Sequence, residues 1–346
     1  MDTEVTKYRE NEALNQSRLK EILKSPKSYK DYQADYSDDK YILGTLIDNL
    51  LLTGEIPDKY MVASCKIPTG KVKDVIDSMF AELKPLYLSE MEVNPETTTP
   101  PNIRELEPVI LSHAAICEYG KSYKPDTIIT KVIDGGEGYF RFLFTSVGKV
   151  LITEEEYAKA HMARFQCMES ERVSKYFKDH PTVKFKNHYE IYTNLFGIPC
   201  KGELDKLLVF EKSKTIQIVD VKSNRDPLNF ENTIFQLRYD FQIAFYYRML
   251  LELVEDEKFE FYGYNVSPTA VFIVVDSVGN TPPFEFFIDA GMGISDYTKE
   301  FSNYVYQGVD SAIERVKFHE SSQHWDFPME YYKTKSFKLE TKLCYL

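Results

Sequence analysis

At 346 residues and a formal net charge of −12, the chain can bury one large core or two modest ones, and its acidic balance excludes a protein coated with basic surface for nonspecific nucleic-acid binding. With 43% hydrophobic and 28% charged residues it has an ordinary globular composition, without the run of roughly 18 apolar residues that a membrane span requires. Five scattered cysteines, Cys65, Cys117, Cys167, Cys200 and Cys344, fit neither a disulfide framework nor a zinc knuckle, so reduced thiols are expected.

The opening MDTEVTKYRENEALNQ has neither a secretory apolar core nor the Arg-rich character of a transit peptide, and a cytoplasmic location is expected. LNQSRLKEILKSP predicts a helix with Leu19, Ile22 and Leu23 on one face, capped by Asn15 or Ser17 and stopped by Pro26. A tyrosine-rich polar linker follows. KYILGTLIDNLLLTGE predicts a second helix ending at Gly54, with Gly44 and Asp48 four apart on one face. Residues 57–153 read as an insertion or lobe: two helical patterns separated by NPETTTPPN, then a short hairpin through YFRFLFTSVGKVLIT. TEEEYAKAHMARFQCMESERVSKYFKDH predicts one long helix, acidic in its first turn and basic towards its end.

After Pro181 the pattern changes to strands. HYEIYTNLFGIPCKGELDKLLVFEKSKTIQIVDVKS holds three strand-like runs, FENTIFQLRYDFQIAFYYRMLLELVED is helical, and TAVFIVVDS has the continuous apolar character of a strand buried on both faces. FEFFIDA adds a strand, and a last helix is expected with Tyr297, Phe301, Tyr304 and Gly308 on one face. The order predicts an α/β fold with a central mixed sheet flanked by helices, divided as residues 1–56, 57–153 and 154–346.

The hairpin GELDKLLVF, EKSK, TIQIVDVKS carries the chemistry. Alternation along a strand points Asp220 and Lys222 to one face and Val219 and Val221 to the other. A turn centred between Lys212 and Ser213 sets Asp205 opposite Asp220, and like charges so placed call for compensation. A divalent cation supplies it: Mg²⁺ favours one or two carboxylates completed by waters and phosphate oxygens. Asp-x-Lys alone recurs by chance; here the acid follows an apolar run, and a helix with Gln242 and Tyr246 four apart comes next. An amide amid such apolar residues needs a specific partner.

The order Ser17, Gly44-x-x-x-Asp48, Gly202-x-x-Asp205, Asp220-Val221-Lys222 and Gln242-x-x-x-Tyr246 resembles the RecB-like branch of the PD-(D/E)xK nucleases, and within it the phage and prophage exodeoxyribonuclease VIII-like proteins. The likeness spans about residues 14–54 and 150–330. It implies a restriction-endonuclease-like core, a Mg²⁺-dependent exodeoxyribonuclease with Mn²⁺ as a substitute, and a role in phage-type DNA recombination, repair or replication. It further implies that Asp205 and Asp220 bind the metal with the Val221 carbonyl, that Lys222 activates water or steadies developing charge, and that Gln242 and Tyr246 help place the DNA. The family usually has histidine where this chain has Asp48, a harder ligand that would keep the preference for Mg²⁺ or else mark a lost role. Iron–sulfur relatives carry a cysteine cluster after the Gln-x-x-x-Tyr helix; only Cys344 follows it here, and no cluster is expected.

Glu190 and Glu203 are weaker candidates. Lys175, Lys178, Lys184 and Lys186, gathered in KYFKDHPTVKFKNH, are the first choice for phosphate-backbone contact, although such a run is commonly a solvated face. PTGKVK lacks the glycine spacing of a phosphate loop, so ATP use is not expected, and the six histidines never pair at a metal-ligand spacing. DNA is the expected partner, with a single-strand annealing recombination protein implied by the resemblance, no membrane, and self-association left open. Two rival readings are a structure-selective endonuclease and a catalytically silent DNA- or protein-binding module that keeps the fold.

Overall fold

The computed structural model describes residues 8, 10–33, 42–299 and 304–335. The chain divides into two compact units, one of residues 1–37, 47–54 and 161–346, the other of residues 38–46 and 55–160.

Helix α1 (Gln16–Lys24) is capped by Asn15, whose side chain accepts from the Arg18 N–H, and buries Leu19 and Ile22. A short helix α2 (Pro26–Lys30) starts on its proline, the position where a missing N–H costs nothing. Helix α3 (Ile42–Leu52) carries Asp48.

In the second unit, β1 (Tyr60–Val62) is followed by α4 (Lys71–Val93), α5 (Glu107–Ile116), α6 (Pro125–Thr145) and β2 (Val150–Ile152). The expected hairpin at residues 139–153 is not formed. YFRFLF is the end of α6, burying Tyr139, Phe140, Phe142, Leu143 and Phe144, and β2 pairs in parallel with β1. The aromatic run has strand propensity, but packing decides it: Val75, Ile76 and Met79 of α4 meet Phe140 and Phe144 in a shared core. Gly136 permits the close approach, since a Cβ there would lie 2.8 Å from Ile76 Cγ1.

Helix α7 (Glu154–Glu169) starts with three glutamates but ends sooner than expected, with no basic residue in its last turn. The Ser170 hydroxyl accepts from the Val173 N–H as the chain turns away. Strands β3 (Val183–Leu195), β4 (Ile198–Phe210) and β5 (Thr215–Asn224) match the three strand-like runs. The following helical sequence is two helices, α8 (Phe230–Gln236) and α9 (Tyr239–Leu253), broken at Arg238, whose φ of 55° is left-handed. Strands β6 (Asn265–Val266), β7 (Thr269–Asp276) and β8 (Phe284–Asp289) complete a sheet ordered β3-β4-β5-β7-β8, with β6 beside β5.

Strands β5 and β7 are parallel, joined by the crossover through α8 and α9, while the other pairs along that order are antiparallel. The architecture is therefore α/β with a central mixed sheet flanked by helices. Leu19, Phe241, Phe245, Phe272 and Ile313 are all fully buried in one core of sheet, α1, α9 and the later helix α10 (Val309–Ser322).

The stretch expected as a helix through Tyr297 and Tyr304 instead forms a small antiparallel pair, β9 (Tyr297–Thr298) and β10 (Val305–Tyr306), and α10 begins only after Gly308. Tyr297 stacks on Tyr306 across this pair, with ring centroids 5.2 Å apart. Phe301 lies outside the described residues. The short helix α11 (Met329–Thr334) follows. Among the described residues no helix is long and apolar enough to cross a membrane.

Candidate active site

The hairpin of β4 and β5 has the expected register, running from Phe210 opposite Thr215 to Lys206 opposite Val219. The ladder stops there, one step short of Asp205 and Asp220, so the two acids are not the paired positions that the sequence suggested. On its other edge β5 pairs with β7 from Val219 to Asn224. Asp205 makes good the lost partner: its Oδ2 accepts from the Val221 N–H at 2.8 Å. A side-chain carboxylate thus satisfies a backbone donor that the departing strand leaves open.

Asp220 is only 1% exposed. Its Oδ1 accepts from Gln242 Nε2 of α9 at 3.1 Å, and its Oδ2 lies 2.5 Å from Lys222 Nζ. Burial, and then the neighbouring Asp205, push the Asp220 carboxyl up to about 7 despite Lys222. The Lys222 ammonium also has the Tyr239 ring 5.0 Å away. Burial would lower its pKa, but Asp220 and Asp205 outweigh that and hold it above the ordinary lysine value.

Tyr246, one turn beyond Gln242, is buried and hydrogen-bonded to it, its phenol pushed far up by burial and then by Asp220 and Asp205. Its ring lies over Gly202, where a Cβ would come within 2.9 Å of Cε1. Gln242 and Tyr246 therefore meet the acids from the core side. Asp48 joins from α3: its Oδ1 is buried without a hydrogen-bond partner among the described residues, and burial, followed by Asp205, raises its carboxyl well above the usual range.

His188 was not singled out in the sequence. The flanking pairs, Asn187 with Lys206 and Tyr189 with Leu204, place it across from Asp205. Its φ of 46° is left-handed, its Nδ1 is 3.4 Å from Glu203 Oε1, and among the described residues its buried Nε2 has no hydrogen-bond partner. Glu203, then Asp48 and Asp205 against burial, raise its pKa. Neither spacing nor periodicity could have revealed it, because the contact depends on the β3–β4 register. Lys20, three residues after Ser17 on α1, is drawn into the same field: burial, then Lys222 and Arg238, lower its ammonium to about 8.

No family model matches this sequence, and no curated protein matches it. Among solved structures, one from Eubacterium rectale named "Putative exonuclease" is similar with a TM-score of 0.32 and 13% identity, covering 90% of this chain and 96% of that one. A likeness that distant says nothing of substrate or chemistry.

Among the described residues no group of three His, Cys, Asp or Glu side chains is arranged to hold a metal ion. What the site offers is a pair of carboxylates, Asp205 and Asp220, with Asp48 beside them. Asp205 pushes up the pKa of both Asp220 and Asp48, and among the described residues the buried Oδ1 of Asp48 has no hydrogen-bond partner, an imbalance of the kind that a divalent cation relieves. These residues fit such an ion.

The remaining sequence candidates lie elsewhere. Lys175 is 2.8 Å from Glu285, Lys184 2.6 Å from Glu211, and Lys186 2.8 Å from Glu260, so each already faces a carboxylate; Lys178 is exposed. Glu190 lies opposite Glu203 and accepts from the Tyr192 hydroxyl. Cys65, Cys117, Cys167 and Cys200 are free thiols, and Cys344 lies outside the described residues.

Proposed function

We propose that this protein is a metal-dependent deoxyribonuclease, acting from DNA ends, whose reaction centre is Asp205, Asp220 and Lys222. The observation that carries the reading is the ammonium of Lys222, 2.5 Å from a buried carboxylate that Gln242 holds on its other oxygen, with Asp205 anchored to the intervening Val221 N–H. Asp205 and Asp220 would hold Mg²⁺ or Mn²⁺, with Asp48 and the Val221 carbonyl as further donors. When bound, such an ion polarises a phosphate oxygen and lowers the pKa of a bound water. Without metal, Asp220 and Asp205 hold Lys222 protonated, which suits it to stand as a positive charge and hydrogen-bond donor beside the phosphate. Gln242 keeps Asp220 oriented, and the Tyr246 ring seated over Gly202 keeps Gln242 in place.

A second reading, a nucleic-acid-binding module without cleavage, draws on the same ion pair, because Lys222 already balances some of the carboxylate charge. Digestion of linear and closed circular DNA, with Mg²⁺ and with EDTA, separates these readings. Mg²⁺-dependent loss of linear DNA alone, abolished by Lys222→Ala in folded protein, is the expected result. Loss of the circle as well would make the enzyme an endonuclease, and no digestion of either would leave the binding module.

A further inference from the structure

Beside the candidate centre runs a groove of about 870 Å³ lined by the cations Lys20, Lys24, Arg238 and Lys299 and by the rings of Tyr304 and Tyr306. One acid, Glu21, also lines it and is 2.7 Å from Lys24. On a chain of net charge −12, this local excess of positive charge departs from the overall balance. Lys299 faces Glu231 at 2.9 Å at the groove's edge, as Lys184 and Lys186 of β3 face their glutamates, whereas Lys20 has, among the described residues, only a distant backbone acceptor, the Leu237 carbonyl at 3.4 Å. Lys20 also feels Lys222 and Asp220, so groove and centre share one electrostatic field. The aromatic side is layered: Tyr304 is 64% exposed and meets Tyr306 edge-on at 4.8 Å, and Lys299 sits 4.0 Å above the Phe235 ring.

We infer that this groove seats a single strand of DNA, with its phosphates along Lys20, Lys24 and Lys299 and a base stacked on Tyr304. The inference rests on the nuclease reading for the direction in which the strand leads, towards Lys222 and Asp220. Cations that follow a backbone, combined with an exposed ring, are the pairing by which single strands are held without sequence preference. A duplex offers phosphates but keeps its bases in the stack, so only an unpaired strand uses the ring. Arg238 shapes the wall: it is held by Asp240 at 3.2 Å and donates to the Gln307 carbonyl at 2.7 Å.

The test is fluorescence anisotropy with a labelled oligo-dT in EDTA, so that binding is read without cleavage, and with a blunt duplex as comparison. Tyr304→Ala should weaken oligo-dT binding roughly ten- to a hundredfold, and Tyr304→Phe should restore it. Lys24→Glu and Lys299→Glu should weaken binding and flatten its dependence on salt, by a slope of about 0.7 for each phosphate no longer neutralised, whereas Lys184→Glu, outside the groove, should not. Wild-type affinity in Tyr304→Ala, or a Tyr304→Phe protein as weak as Tyr304→Ala, would overturn the proposal. Failure here is distinguishable from failure of the nuclease reading. A protein that cleaves DNA normally while every groove variant binds like wild type refutes the groove alone. One that never cleaves but shows these binding losses refutes the nuclease alone.

Discussion

Gln242 and Asp220 meet across the core, with the α9 amide donating to the β5 carboxylate at 3.1 Å and neither side chain more than 9% exposed. Gln242→Ala removes the only neutral donor described on that carboxylate, an interaction worth ~1.5–3 kcal/mol when one partner is charged. The expected loss is about tenfold or more in kcat for Mg²⁺-dependent cleavage, with KM for DNA little changed. A loss confined to KM, in steady-state digestion of linear DNA, would assign the amide to DNA contact instead.

Asp220→Asn keeps an oxygen for Gln242 and leaves Asp205 to balance Lys222. In EDTA its unfolding free energy should therefore stay within about 1 kcal/mol of wild type, the scale of one cross-strand electrostatic interaction. Adding Mg²⁺ should raise the melting temperature of wild type and leave the variant nearly unmoved. A buried pair broken outright would instead lose ~3–5 kcal/mol with or without metal, and that outcome in thermal melts would argue for a purely structural Asp220.

Gly202→Ala puts a methyl within 2.9 Å of the Tyr246 ring, which is itself buried over the strand. Overpacking of this kind costs ~1–3 kcal/mol, and the displaced ring should carry Gln242 with it and depress cleavage. Trimming the ring in a Gly202→Ala/Tyr246→Leu double variant should restore some of the stability relative to Gly202→Ala. Chemical denaturation of the wild type, of Gly202→Ala and Tyr246→Leu singly, and of the double variant measures the coupling, and strict additivity of the two changes would deny the contact.

Lys20 gives a pH signature. Its folded pKa is lowered from 10.5 to about 8, so between those values the unfolded chain holds a proton that the folded protein has released. Stability contributed by this group is therefore absent below about pH 8, grows as pH rises, and is complete above the unfolded value. Relative to Lys20→Met, the wild type should gain stability from pH 8 towards 10.5 in urea titrations in EDTA. A difference that stays flat across that window would mean that the lysine is solvated.

The features legible in the sequence are those set by local period. The alternation of β5, the turn that fixes the hairpin register, the apolar run of β7 and the Asn15 cap all appear where the residues place them. What failed depended on distant partners. YFRFLF has the composition of a strand, and only the α4 surface facing it makes it helical. The helix through 230–253 is continuous in pattern, yet Arg238 breaks it with a left-handed conformation held by Asp240 and the Gln307 carbonyl, far away in sequence. Asp205 shows the limit within the hairpin itself: the register was readable, but not that the strands would diverge just before the acids. His188 depended on a second register, between β3 and β4, that no turn residue announces.

That divergence of β4 from β5 makes the sheet a wedge. Between Lys206–Val219 and Phe210–Thr215 the two strands are zipped, and past Val219 they separate, with Asp205, Asp220 and Lys222 gathered at the fork. A fork is closed at its apex. The last zipped pair, Lys206 with Val219, stands one residue from each acid, so the hairpin holds the two carboxyls as a hinge holds two leaves, and a shift at that pair would be felt by both.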